Sequence, residues 1–264
     1  MTDSTTSLAA AEPLPQASRD FIPLLLPVVL ALAMIPLIGS PSTWVTLTVA
    51  SLAMGMMIFI MASGLTLVFG LMDVLNFGHG AFIAVGAYVA TLVLVPMAGY
   101  IQADSLWLNL LALAPAALLA MVVGLVVFGL VLLVLNRTKI GLLIRAGVEN
   151  REMVEALGYR IKRLFLGVFM VGSALAGLGG IMWGLYREEV HASMGGDLMV
   201  LVFIVIIIGG LGSIGGCFIG AILVAMIANY GGFLVPKLAL VSNILLMVAI
   251  LMWRPRGLYP VTNR

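Results

Sequence analysis

Charge is scarce in this chain. Only 9% of its 264 residues are Asp, Glu, Lys or Arg, against about 25% in soluble globular domains, so an ordinary water-facing surface is excluded. Cys217 is the single cysteine, which excludes an intrachain disulfide and suggests no redox site. No His or Cys cluster has metal-ligand spacing. No G-x-x-x-x-G-K-[ST] stretch occurs, so the chain has no loop of its own to cradle nucleotide phosphates. One G-x-G-x-x-G is present, Gly210-Leu-Gly212-Ser-Ile-Gly215, but it interrupts an apolar run instead of following a strand, and a dinucleotide site needs that strand. The net charge of +2 gives no reason to expect nucleic acid. The ten-residue alternation of a membrane β-barrel is also absent. No catalytic residue, metal or cofactor is assigned to this chain.

Apolar residues fill the space. They make up 63% of the sequence, the mean hydropathy is +1.23, and a crossing of the hydrocarbon needs about 20 such residues in a row. Eight runs qualify in whole or part, at 21–39, 44–70, 81–99, 108–135, 165–186, 199–209, 217–235 and 237–253, the sixth being short for a full crossing. The expected fold is an all-α integral membrane protein with about eight transmembrane helices. Residues 1–20, rich in Ser, Thr, Ala and Pro, read as a disordered tail, and 21–264 as a single transmembrane domain.

The charge that exists is concentrated. Residues 136–164 hold seven of the thirteen basic residues and three of the eleven acids. Met153, Ala156, Leu157, Ile161 and Leu164 recur at helical spacing, with Glu152, Glu155, Arg160 and Lys162 elsewhere on the wheel, which predicts a short amphipathic helix. That helix would lie on the membrane surface or serve as a handle for a partner subunit. The positive-inside rule places the island in the cytoplasm, and counting crossings then puts Arg254, Arg256 and both termini on the same side. The segments 41–43, 102–105 and 187–197, and Lys237, fall outside.

Two apolar runs are broken by glycine-rich segments. LMDVLNFGHG separates GLTLVFG from AFIAVGAYVAT, and LGSIGG separates VFIVIIIGG from CFIGAILVAMI. The breaks lie 133 residues apart from His79 to Gly212, which suggests a duplicated transporter architecture with a solute route at the breaks. Parallel and inverted repeats both fit. Asp73, Asn76 and His79 form the densest polar cluster beside an apolar run, and such groups must face water, a cavity or each other. They border a path, or they cap helix ends as Asn and Asp do well. Gly172, Ala176, Gly180 and Gly184, and likewise Gly212, Gly216 and Gly220, repeat every four residues, the spacing of helix-packing faces.

GLTLVFGLMDVLNFGHGAFIAVGAYVA closely resembles the first signature of the permease subunits of branched-chain amino acid ABC importers of the LIV-I type, in particular the LivH-like subunit. GGLGSIGGCFIGAIL resembles their second signature, and RPRGLYP their C-terminal ending. EALG, Glu155 to Gly158, looks like a shortened E-A-A-x-x-x-G segment, the one such permeases present to their ATPases. The resemblance runs from about residue 44 to 260. It implies the ABC importer permease fold, a second LivM-like permease subunit, two cytoplasmic ATPases that bind the ATP, a periplasmic binding protein, and residence in the bacterial inner membrane, with 136–164 as the coupling loop. The two breaks make Asn76, Gly78, His79, Gly80, Gly209, Gly210 and Gly212 candidates for the translocation path, and the resemblance makes Glu155, Ala156, Leu157 and Gly158 candidates for ATPase coupling. Its substrates would be leucine, isoleucine and valine, or other amino acids, urea or short amides, and aromatic acids. The charged segment from Arg187 to His191 maps onto no family role.

Two other classes compete. A self-sufficient secondary carrier wants intramembrane acids for ion coupling, and the runs above contain none. An intramembrane serine protease would pair Ser213 with His79, a nucleophile with a base.

Overall fold

The computed structural model describes residues 21–72, 75–94, 106–187 and 189–259. The expected tail at 1–20, Asp73, and the expected outer segment 102–105 lie outside the described residues. The fold is all-α. Its elements are α1 (Ile22–Ala33), α2 (Ile35–Ile38), α3 (Pro41–Met72), α4 (His79–Leu94), α5 (Leu106–Arg137), α6 (Lys139–Glu149), α7 (Arg151–Ala156), α8 (Ile161–Arg187), α9 (Met194–Gly209), α10 (Ile214–Leu234) and α11 (Ala239–Trp253), with a 3-10 turn at Pro236–Leu238.

Each of the eight apolar runs contains a helix. By length and composition, helices over Pro41–Gly70, Leu118–Arg137, Ile161–Arg187 and Ile214–Leu234 are long and apolar enough to cross a membrane, and Ile22–Ile38, His79–Leu92, Met194–Gly209 and Val241–Trp253 are shorter apolar helices. The sixth run starts five residues earlier than its apolar stretch, because Met194 to Asp197 already form the first turn of α9. This brings Asp197 into a helix that sequence reading had left without acids.

α3 is the axis of the molecule. Ile58, Phe59, Ile60, Met61, Ala62, Ser63 and Leu65 are fully buried, so the middle of the helix is covered on every side, as expected of a stretch that is apolar all round. Its start is tied to α1 by the Trp44 Nε1–H donating to the Ala31 carbonyl at 2.8 Å, and to α10 by a Thr48–Tyr230 hydroxyl pair at 2.7 Å. α1, α5 and α11 instead leave Leu24, Val28, Leu118, Val126, Leu245 and Val248 exposed, and in a membrane that surface meets lipid or another helix at no cost.

Close packing uses the glycine faces. Gly64 and Gly172 each face the other's carbonyl, Gly180 lies on the Ile83 backbone and Gly184 on Ala87, and Ala176 is fully buried. In the second set Gly216 abuts Gly209 and Gly220 abuts Val205. Gly212 differs from expectation. It precedes α10 with φ +80° and packs in a turn against Gly70.

The charged island is not one amphipathic helix. Thr138 caps α6, its hydroxyl accepting from the Gly141 N–H at 3.3 Å, Asn150 caps α7 by accepting from Met153 N–H at 2.9 Å, and the chain then enters α8 at Ile161. Ile161 is buried and Leu164 partly so, but Met153, Ala156 and Leu157 are exposed; Val154 is the residue of α7 that turns inward.

Candidate functional site

One observation about depth organises the site. The His79 Nε2–H donates to the Met61 carbonyl at 2.8 Å, and Met61 is eleven residues before the end of α3 at Met72. At 1.5 Å per residue that is about 16 Å, roughly half of a 30 Å hydrocarbon core. α4 therefore begins deep in the molecule. α9 begins beside it: Gly80 and Gly195 press backbone on backbone, Gly195 also meets Ala84, and Gly80 meets Met199. Phe77, just before α4, sits 5.9 Å from Phe203. Contacts that run from 77 and 203 to 84 and 195 make the helices antiparallel, so they leave this junction towards opposite faces.

The junction corrects the expected duplication. Shifting residue numbers by 115 carries Met72 onto Arg187, His79 onto Met194 and Gly80 onto Gly195, and α4 and α9 each have 16 residues. The entry turns repeat too: His79 N–H donates to the Asn76 carbonyl at 3.1 Å and Ala81 N–H to that of Gly78 at 3.0 Å, as Met194 N–H does to His191 at 3.1 Å and Gly196 N–H to Ser193 at 2.9 Å. The partner of the first break is thus 189–193, not LGSIGG. The unit is inverted, since α3 ends beside Gly212 on the face that carries the charged island while α8 ends on the opposite one. Hydropathy missed it because 189–193 carries Glu189 and His191 in place of a glycine run.

The other break serves a different purpose. Gly209 ends α9, Gly210 and Gly212 have φ of +97° and +80°, and the Ser213 hydroxyl caps α10 by accepting from Gly216 N–H at 3.1 Å. The C-terminal segment closes this turn: Leu258 N–H donates to the Ile208 carbonyl at 2.9 Å and Tyr259 N–H to that of Gly209 at 3.0 Å, which satisfies carbonyls that a helix end leaves without partners. Gly257, φ +84°, lies against Gly210 where no side chain fits. The sequence-nominated path residues accordingly fall in two places. Asn76, Gly78, His79 and Gly80 are at the junction, and Gly209, Gly210 and Gly212 are at the far end of α9, about 22 Å along its axis. Ser213 and His79 are separated by the same helix and do not meet.

His79 is fully buried. Asn76 makes an Asx turn, its Oδ1 accepting from the Gly78 N–H at 3.1 Å, while its Nδ2 is buried with no partner among the described groups. At the coupling segment, Gly158 has φ +88°, and Tyr159 N–H reaches back to the Val154 carbonyl at 3.3 Å, so a left-handed glycine ends α7. Glu155, Ala156, Leu157 and Gly158 are all exposed, as are Met153 and Tyr159; Leu157 shows 70% of its surface. Met153, Leu157 and Tyr159 thus put apolar surface on the charged island.

The site that sequence reading missed is a cavity of about 660 Å³ on the face opposite the island, where α8 ends and α9 begins. Arg187, Glu189, His191, Asp197, Asn229 and Asn243 supply its polar groups, while Met54, Trp183, Leu198, Leu201 and Ile204 supply apolar wall. The Arg187 guanidinium lies 5.5 Å from the Trp183 ring centroid, a cation–π arrangement that holds it in place. His191 Nε2 and Asp197 Oδ2 are 3.2 Å apart, and the Ser193 hydroxyl donates to the same carboxylate oxygen at 3.2 Å. Asn229 Nδ2 donates to the Ser51 hydroxyl at 3.2 Å, and the Asn243 Oδ1 is buried with no partner among the described groups. Both charge signs therefore line one cavity of ligand size, and Met194, at the α4–α9 junction, also lines it. Among the described residues no group of His, Cys, Asp and Glu is gathered to hold a metal ion. The signal was the cluster from Arg187 to His191, charge at the end of an apolar run.

Residues 47–133 and 122–252 match the family described as branched-chain amino acid transport system / permease component. The chain belongs to this family. It is 28% identical over 142 residues to the high-affinity branched-chain amino acid transport system permease protein BraD of Pseudomonas aeruginosa, a match covering 53% of this chain and 46% of that one. It is 33% identical over 148 residues to the probable branched-chain amino acid transport permease protein LivH of Methanocaldococcus jannaschii, covering 52% and 45%, and 25% identical over 122 residues to the high-affinity permease protein LivH of Escherichia coli, covering 46% and 40%. The matched stretch spans about half the length of these relatives or less. No solved structure matches the chain. Family and helices together make this permease component a multi-pass membrane protein.

Proposed function

We propose that the chain is the membrane-spanning permease subunit of an ATP-driven importer of branched-chain amino acids in the inner membrane. The observation that carries the substrate class is the cavity, where an arginine and two carboxylates stand around an aliphatic wall. An amino acid zwitterion has the complementary parts: its carboxylate pairs with Arg187, its ammonium with Glu189 or Asp197, and a branched side chain lies on Leu198, Leu201 and Ile204. Arginine suits the carboxylate because its planar fork meets both oxygens. Urea or a short amide uses the asparagines but leaves these charges unmatched, and an aromatic acid leaves the cavity's carboxylates unmatched.

The cavity faces the periplasm and receives the solute from a binding protein, and the island faces the cytoplasm. Support comes from the charge distribution, with Arg137, Lys139, Arg151, Arg160, Lys162 and Arg163 on the island and Arg254 and Arg256 beside the Gly210 turn on the same face, as the positive-inside rule requires. Met153, Leu157 and Tyr159, bare on α7 and its exit, dock into a cytoplasmic ATPase, and a second permease subunit completes the translocation path. Gly80 and Gly195 pack backbone on backbone at the junction of α4 and α9, and the route opens when these helices part there.

The test is affinity purification of the tagged full chain from its native membranes, with ATP hydrolysis assayed in the eluate. The reading expects stoichiometric ATPase subunits and hydrolysis that collapses when Leu157→Glu breaks docking. A chain that purifies folded but without any ATPase would refute it.

A further inference from the structure

A second depression, of about 490 Å³, runs along α5, α6 and α8. Val127, Val131, Leu135, Ile144, Val168 and Leu175 are among its walls, and Arg163 is the one charged residue among its described lining residues. Its span fits one leaflet. From Leu164 to Leu175 it follows eleven residues of α8, about 16 Å, half of the roughly 30 Å hydrocarbon core. Its cationic end is the island end, where Arg137 and Lys139 lie at the α5–α6 corner and Lys162 stands beside Arg163. Gly167 lines the depression, and a side chain there would meet nothing within 4 Å, so the glycine leaves the groove open without being needed for helix packing.

We infer that this groove holds an acyl chain of an anionic phospholipid, with the headgroup phosphate at Arg163. The occupant follows from depth and charge. An aliphatic trough that ends after one leaflet matches a lipid tail, whereas a helix of a partner subunit would continue through both leaflets. A cation at the water end selects a phosphate-bearing anionic headgroup over a zwitterionic one, since basic pockets between transmembrane helices attract anionic lipid headgroups. Phosphatidylglycerol is the simplest probe of that class.

The experiment reconstitutes the full chain in equimolar phosphatidylglycerol and phosphatidylcholine, extracts it in mild detergent and counts retained lipids by native mass spectrometry. The expected result is about fivefold preference for phosphatidylglycerol, the scale set by one basic residue at a membrane surface. Arg163→Gln should bring the two lipids close to parity, and Gly167→Leu, whose Cβ meets nothing within 4 Å and whose side chain occupies the groove, should lower retention of both while leaving the chain folded. Equal retention by the unaltered chain, or undiminished retention by Gly167→Leu, overturns the inference. So does a photoreactive residue at Val171 that captures protein instead of lipid in native membranes.

Discussion

Arg187 carries the sharpest consequence at the scale of single residues. Its guanidinium is held on Trp183 at the rim of the cavity, and a charge-assisted hydrogen bond to a solute carboxylate contributes about 1.5–3 kcal/mol. Arg187→Gln should therefore reduce transport at low substrate concentration by about tenfold or more with the protein's abundance unchanged; unaltered uptake of labelled leucine would remove Arg187 from the route. Asn76 makes the contrasting case. Its Oδ1 holds the Gly78 N–H at 3.1 Å, so Asn76→Asp should keep the turn, while Asn76→Leu should cost about 1 kcal/mol and lower abundance. Uptake per assembled complex should hold steady in both. A fall in that quantity for Asn76→Leu, at normal abundance, would return the residue to the solute path.

Among the elements, α4 and α8 test what the glycines are for. Gly180 lies against the Ile83 backbone, whereas Gly129 on α5 has nothing within 4 Å of where its Cβ would be. Gly180→Val should then destabilise the detergent-solubilised protein by about 1–3 kcal/mol, the usual cost of overpacking, and Gly129→Ala should be neutral or slightly stabilising. Thermal unfolding of the two variants compares them directly, and equal melting temperatures would contradict the packing role. How far the elements were legible in the sequence follows from the same physics. Long apolar runs and four-residue glycine spacing report helices and their faces, because lipid and close backbone approach each impose one simple pattern. α9 and its entry turn were harder, since Asp197 and His191 interrupt the hydropathy that marks a span. The island was legible only in part for a related reason: periodicity joins 153 to 164 into one helix, whereas Gly158, with φ +88°, ends α7 before α8 begins at Ile161.

The whole molecule is polarised from one face to the other. The cavity and the island lie on opposite faces, and the resemblance read in GLTLVFGLMDVLNFGHGAFIAVGAYVA and RPRGLYP reported the family without revealing that the first motif builds a deep junction and the last one seals the Gly210 turn. Spatial convergence of segments distant in sequence leaves no local pattern, so the cavity, assembled from α3, α8, α9, α10 and α11, was invisible before the fold. Sidedness can be read with one reagent. Cys217 is fully buried, so a membrane-impermeant thiol probe applied to whole spheroplasts should label Glu189→Cys and spare Leu157→Cys, and inside-out vesicles should reverse this. Labelling of both from one side would overturn the orientation.

The most direct measurement is uptake of labelled leucine into proteoliposomes that contain the chain together with the subunits that copurify with it. Saturable accumulation that requires ATP and the copurifying ATPase at the island face, and that is lost with Leu157→Glu and reduced with Arg187→Gln, is the predicted result. Accumulation that proceeds without ATP, or with the chain alone, would contradict the assignment of this protein as the permease component of an ATP-driven importer.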